Sequence, residues 1–509
     1  AFTITIHLEN GVSLVNETTG KTASGNVTVK GGEKFHLVAT TANMGSLKGK
    51  YAITSNFPLD FHAMLLKLES SQDIGFGYYT DSSDLQITVD WPEEAVIEIT
   101  KKDGDTGKNL AGAVYGVYSD NACTKLIAKM PPTDSNGSSR VTLTKTQDTV
   151  YLKEITAPEG YVVQASSYGV KLVVGSTTKQ TVTDKEQKGN LTVYKEGEVF
   201  VGAVSDENGT SFQYEKRRQK GAVYNVYAAE DIVTAGGKTV YKKGAEVAKN
   251  LITGENGSVT VKNLPLGSYN VTEAQAPENF YNAKETKKVT ISYAGQTAEA
   301  AFSETTFTND RQKAVVQVIK KDKDTENTLS GGHFALFAAQ DMKTVDGKVA
   351  VKKDALIETA ITGTDGKAAF KADLPVGFSY YVKEVQAPVG YVRNEKDTYS
   401  FQFSYTNDEQ AKISFSHTFV NDRVSAAISL NKKDAETKEN KAQGDASLEN
   451  AVYGLYARND ITHPDGKTGV IYKAGSQICT LTTDKEGKAR IENLYLGEYY
   501  LSLIHISEP

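Results

Sequence analysis

At 509 residues the chain is too long for one ordinary domain, and its 27 tyrosines, 43 glycines and abundant valine and threonine, without long helical periodicity, read as all-β. A formal net charge of −6 is small for this size, and the only dense basic run, residues 216–220, reads as a solvated loop, which argues against a nucleic-acid partner. Two cysteines in different segments exclude a disulfide framework, the seven scattered histidines offer no zinc spacing, and no apolar run reaches membrane-spanning length.

The chain opens at Ala1 and Phe2 without an initiator Met or signal peptide, and reads as a fragment open at both ends. Residues 1–94 alternate like strands at 2–8 and 85–90 and carry no chemical motif. Gly75 and Gly77 with Phe76, Tyr78 and Tyr79 suit core packing better than a binding surface. From residue 95 the chain repeats with a period of about one hundred residues. The predicted modules are 95–187 (module two), 188–311 (three), 312–424 (four) and a truncated 425–500 (five). Module three carries an insertion at 196–220. Modules three to five share a second one, at 236–247, 346–357 and 465–478, which module two lacks. The linkers are very short, which predicts a stiff rod.

One phrase organises each module. At residues 264–277 (LPLGSYNVTEAQAP) a turn launches an alternating run in which Tyr269, Val271 and Glu273 share a face. The same phase recurs at 150–158, placing Glu154 inward, and at 374–388, placing Glu384 inward. A buried carboxylate is costly unless paired. Each opening strand supplies a lysine on its apolar face: Lys101 after Ile97 and Ile99, Lys195 after Leu191 and Val193, Lys320 after Val316 and Val318, Lys432 after Ile428 and Leu430. Parity leaves Lys102, Lys321 and Lys433 facing solvent. Each complete module closes on a strand ending in phase at Asp184, Asn309 or Asn421.

Lys, Glu and Asn or Asp therefore converge in one interior, and the chemistry this permits is an intramolecular amide bond. Burial makes the lysine a neutral nucleophile, and a protonated Glu polarises the target carbonyl and relays protons. Attack on Asn expels ammonia and attack on Asp expels water; proximity contributes on the order of 7–11 kcal/mol. The competing reading is ordinary: an edge lysine, a turn-capping Glu and an Asn-Asp linker turn. Three recurrences in register favour the cross-link.

The combination of Lys-x-Asp, Gly-Ala-x-Tyr/Phe, Leu-Pro-x-Gly-x-Tyr-x-Val-x-Glu-x-x-Ala-Pro and a closing Asn resembles the Cna B-type domain of Gram-positive pilins and surface adhesins, over about residues 95–500. The resemblance implies tandem immunoglobulin-like or transthyretin-like β-sandwiches with isopeptide bonds Lys101–Asp184 (Glu154 catalytic), Lys195–Asn309 (Glu273) and Lys320–Asn421 (Glu384). Asp184 is the less common acceptor, and module three has Lys195, Glu196 and Gly197 where the motif has Lys-x-Asp. In module five Leu503 takes the glutamate's place, which leaves Lys432 unpaired, and residues 501–509 read as a non-native, adapter-like tail.

The implied function is a structural stalk of an extracellular, cell-wall-anchored surface protein or pilin. It would be anchored by sortase in the intact protein, need no cofactor and have no enzymatic activity beyond its own cross-linking. The alternatives are an adhesin whose residues 1–94 bind a host extracellular protein or glycan, and a spacer for a secreted hydrolase. No triad, phosphate loop or paired carboxylates support an intermolecular active site.

Overall fold

A computed structural model describes residues 94–505 except Asp445, and before them only 3–8, 12–16, 18–30, 35–39, 52–55, 74–75 and 87–90. The aromatic positions 76, 78 and 79 lie outside the described residues, as does the end of the tail, 506–509. The described elements are strands throughout. The protein is a tandem array of β-sandwiches.

Module two shows the plan. One sheet orders Ser138–Thr144, Glu94–Asp103, Thr177–Glu186 and Tyr161–Val162, and the facing sheet orders Leu126–Lys129, Val114–Tyr118, Thr149–Thr156 and Ser167–Lys171. Strict alternation along Glu94–Asp103 buries Ala95, Ile97, Ile99, Lys101 and Asp103 and turns the intervening residues outward. The closing strand lies parallel beside the opening strand, with Lys101 opposite Val182. The same parallel pair joins Lys188–Asp206 to Ala300–Asn309 in module three and Lys313–Asp322 to Lys412–Asn421 in module four. First and last strands of a module are thus neighbours, although roughly a hundred residues of chain separate them.

The Lys-x-Asp signature acquires a local cause. Asp103 Oδ1 accepts the backbone N–H groups of Asp105 and Thr106, closing the turn after the strand, and its Oδ2 accepts the Tyr161 hydroxyl at 2.6 Å. Asp322 does the same with Asp324, Thr325 and Tyr391. In module three both partners change together: Phe280 replaces the tyrosine and Gly197 the aspartate. A Cβ on Gly197 would meet Phe280 Cε1 at 2.2 Å, so the ring occupies the space that the acid fills elsewhere. The departure from the motif therefore leaves Lys195 in place.

The junctions are built, not merely short. Gln187, in the linker before module three, donates through Nε2 to the carbonyls of Gly295 and Ala298 and accepts from Ala294 N–H. Between modules three and four, Ala276 N–H donates to Asp408 Oδ2 at 2.8 Å, beside Gln312, the first residue of module four, which donates to the carbonyls of Asn407 and Gln410. The second insertion forms a small hairpin in each of modules three to five that reaches back to its predecessor. Gly236 N–H donates to Glu186 Oε1 at 2.7 Å, and Lys467 Nζ donates to the Thr328 carbonyl at 2.8 Å.

The first insertion is a strap. Strand Lys188–Asp206 runs past Lys195 into a hairpin with Gly209–Arg218, and this hairpin lies on module four. Phe200 joins the core of module four, with its ring 5.9 Å from that of Phe378. Around it, Tyr214 donates to the Asp373 carbonyl, Thr210 to the Leu356 carbonyl, and Arg217 pairs with Asp346 on the module-four hairpin. Arg311 stacks over Tyr214 and pairs with Asp373.

Candidate functional site

The parallel pairing sets the site. In each complete module the acceptor lies two residues beyond the lysine's partner: Asp184 beyond Val182, Asn309 beyond Phe307, Asn421 beyond Phe419. Residues two apart share a face, so lysine and acceptor are diagonal neighbours on the inner side of one sheet. Each glutamate comes from the facing sheet, opposite an aromatic residue: Glu154 opposite Tyr115, Glu273 opposite Tyr224, Glu384 opposite Phe334. A β-bulge precedes the aromatic residue in every case.

All nine side chains are buried, the three lysines completely. In module two Lys101 Nζ donates to Asp184 Oδ1 and to the Tyr115 hydroxyl (2.8 Å), and lies 2.7 Å from Glu154 Oε1 without hydrogen-bond alignment. In module three Glu273 bridges: Oε1 accepts from Lys195 Nζ at 2.6 Å, and Oε2 accepts from Asn309 Nδ2 at 2.8 Å. In module four Glu384 Oε2 accepts from Asn421 Nδ2 at 2.8 Å, and Oε1 lies 3.3 Å from Lys320 Nζ. One carboxylate therefore touches both the amine and the amide it would join.

Burial drives the titrations. It pushes the ammonium groups of Lys195 and Lys320 below their ordinary range, opposed by Glu273 and Glu384. It pushes the Asp184 carboxyl up to about 7; Lys101 pulls this down and Glu154 adds to it. Direct attack requires a neutral amine, and a carboxylic acid is a far better acceptor than a carboxylate.

Module five differs as its sequence predicts. Leu503 lies opposite Tyr453, where the other modules place the glutamate, and Lys432 is half-buried. Strand Ala426–Asn431 pairs with Lys488–Leu494. Residues 501–505 continue strand Tyr499–His505 along Val452–Ala457.

A scan of family models decides the kinship: the SpaA prealbumin-like fold domain matches residues 95–187, 193–306 and 314–418, more than half of the chain. The chain belongs to this SpaA family. Its three matched repeats are the modules that carry a complete Lys, Glu and Asn or Asp set, in agreement with the Cna B-type resemblance. Residues 1–51 match the model of a TED-associated beta sandwich domain.

Among solved structures the chain is similar to the Bacillus anthracis TIE protein (20% identity, 82% of this chain and 68% of that one, TM-score 0.42). It is also similar to BcpA, the major pilin subunit of Bacillus cereus (15%, 65% and 100%, TM-score 0.26). A third is the major pilin SpaD of Corynebacterium diphtheriae (14%, 66% and 98%, TM-score 0.19). No curated protein matches. Among the described residues no helix is long and apolar enough to cross a membrane.

The convergence of lysine, glutamate and acceptor was legible from strand parity. The aromatic residue opposite each glutamate was not assigned a role, although its recurrence in the Gly-Ala-x-Tyr/Phe phrase marked it. The strap and the reaching hairpins were visible only as insertions.

Proposed function

We propose that this chain is the stalk of a cell-wall-anchored surface protein or pilin, stabilised by self-made isopeptide bonds Lys101–Asp184, Lys195–Asn309 and Lys320–Asn421. The carrying observation is the buried set of lysine, glutamate and acceptor, repeated three times in one register on the first and last strands. In each module the lysine nitrogen attacks the acceptor carbonyl carbon, and the C–N bond forms. Glu154, Glu273 or Glu384 carries a proton from that nitrogen to the leaving group, ammonia from Asn or water from Asp184. The fold has already placed the groups, so little orientational entropy remains to be lost.

Such bonds explain the arrangement of the rod. Tension enters a module before its lysine and leaves after its acceptor, so the covalent link carries it and everything between is bypassed. An amide is also indifferent to redox, in keeping with two free cysteines. The activity is self-directed, and sortase attachment to a cell wall belongs to the same reading; a host protein or glycan as ligand belongs to the alternative, an adhesin.

An intact mass of the full chain tests it. The expected deficit is two ammonias and one water, and Glu154→Ala, Glu273→Ala and Glu384→Ala are each expected to restore one. A full mass for the unsubstituted protein rejects the cross-links.

The acceptors also predict different pH behaviour. Module two needs Asp184 protonated and its lysine neutral at the same moment, a state with the same proton count as the carboxylate–ammonium pair. Its rate of bond formation should therefore level off above about 7, where Asp184 gives up its proton. Asn309 and Asn421 do not ionise, and modules three and four should speed up as their lysines lose a proton. Peptide masses from chain synthesised across this range read both slopes; a common slope for all three modules rejects the assignment.

A further inference from the structure

We propose that the aromatic residue opposite each glutamate sets how fast that module closes its bond, the tyrosine hydroxyl of modules two and three acting as a positioning group that module four lacks. The inference rests on the cross-linking reading above. It follows from a comparison built into the chain: the same site occurs with Tyr115, Tyr224 and Phe334 at one structural position.

The ring itself is equivalent in modules three and four. Tyr224 sits 4.9 Å from Phe307 at an interplanar angle of 47°, and Phe334 sits 4.9 Å from Phe419 at 48°. At this position only the hydroxyl differs, though two residues beyond the lysine the modules also differ, Gly197 with Phe280 against Asp322 with Tyr391. In module two the hydroxyl accepts a hydrogen bond from Lys101 Nζ at 2.8 Å. In module three it donates to Glu273 Oε1 at 3.4 Å, the oxygen that also holds Lys195 Nζ. With the hydroxyl present, the lysine nitrogen lies 2.7 or 2.6 Å from its glutamate; with Phe334 it lies 3.3 Å away. Lys320 Nζ has no hydrogen-bond partner, nor have Glu384 Oε1 and Asn421 Oδ1. Module two also leaves Glu154 Oε1 and Asp184 Oδ2 without aligned partners, but its lysine nitrogen is held.

The hydroxyl neither takes nor gives up a proton in the net reaction. Burial and the neighbouring carboxylates raise the pKa of Tyr115 and Tyr224 far above the ordinary phenol range, so each stays protonated. One proton passes from the lysine nitrogen to the departing ammonia or water. The hydroxyl holds the nitrogen, or the carboxylate that receives it, in line while this happens. Losing one such bond from a reacting geometry is expected to slow the step roughly three- to tenfold.

The test is a time course on the full chain made by cell-free synthesis, with aliquots quenched in denaturant and the cross-linked peptide of each module quantified by mass. Module four of the unsubstituted chain should close more slowly than module three. Tyr224→Phe should slow module three by roughly three- to tenfold and leave modules two and four unchanged. Phe334→Tyr should accelerate module four by a similar factor. All variants should reach the same final extent, because packing is conserved; a merely structural role would lower the yield and could not speed module four. Unchanged rates in both variants overturn the inference while leaving the cross-links intact. Absence of cross-linked peptide from the unsubstituted chain rejects the underlying reading, and the inference with it.

Discussion

Exchanging Lys320, Glu384 and Asn421 together for Met, Leu and Leu is expected to destabilise module four by about 4–5 kcal/mol, the loop-closure contribution of a cross-link spanning on the order of a hundred residues. The sign is what makes the experiment decisive. All three side chains are buried, and their interactions in the fold are one hydrogen bond from Asn421 to Glu384 and a 3.3 Å ion-pair approach. If these were only polar contacts, replacing them with apolar groups of similar volume would be neutral or stabilising, because desolvation of buried charge costs as much as the pairing returns. Removing one partner alone cannot discriminate, since it strands a buried charge whichever reading holds. The measurement is hydrogen exchange resolved by module in the full chain, because a multi-module protein does not unfold in a single two-state step. A triple variant as stable as the parent, or more so, would sink the covalent account of module four.

Phe200→Ala should weaken a neighbour of the module that encodes it. Phe200 belongs to module three by sequence, yet it packs in the core of module four with Phe212, Tyr214 and Phe378 around its ring. Truncating a buried phenylalanine costs about 3–5 kcal/mol, here divided between the strap's docking and the core beneath it. The expected result is faster exchange along Met342–Lys343, Val349–Val351 and Phe378–Gln386, with the unmodified Leu191 and Val193 region of module three unaffected. Small-angle scattering should report a more bent chain. The strap lies beyond Lys195 and so off the line of tension; its contribution is resistance to bending at the junction. Phe302→Ala, at a ring 78% exposed on module three, is the control that should change nothing. Unaltered exchange in module four after Phe200→Ala would show that the strap merely rests there.

Much of the site was readable before the fold, for a simple reason. In a strand the side-chain period is two, so an apolar residue at Ile99 commits Lys101, and one at Leu152 commits Glu154, to the same interior. The phase of Glu273 and Glu384, the inward choice among paired lysines, and the substitution of Leu503 for the glutamate in module five all follow from counting. The exchange of Asp103 and Tyr161 for Gly197 and Phe280 did not, because the two positions are distant in sequence and only their contact explains why they change together.

The sequence by itself determined the all-β class, the repeat, and the residues that face inward, because each of these depends on neighbours one to a few positions away. Tertiary structure alone decided three things: that opening and closing strands pair in parallel with the acceptor two residues past the lysine's partner, which aromatic residue sits opposite which glutamate, and where the two insertions go. Those depend on how separately formed sheets and modules are placed against one another. That placement is fixed by contacts such as Phe200 on module four and the Ala276 N–H on Asp408, between groups that no local periodicity connects.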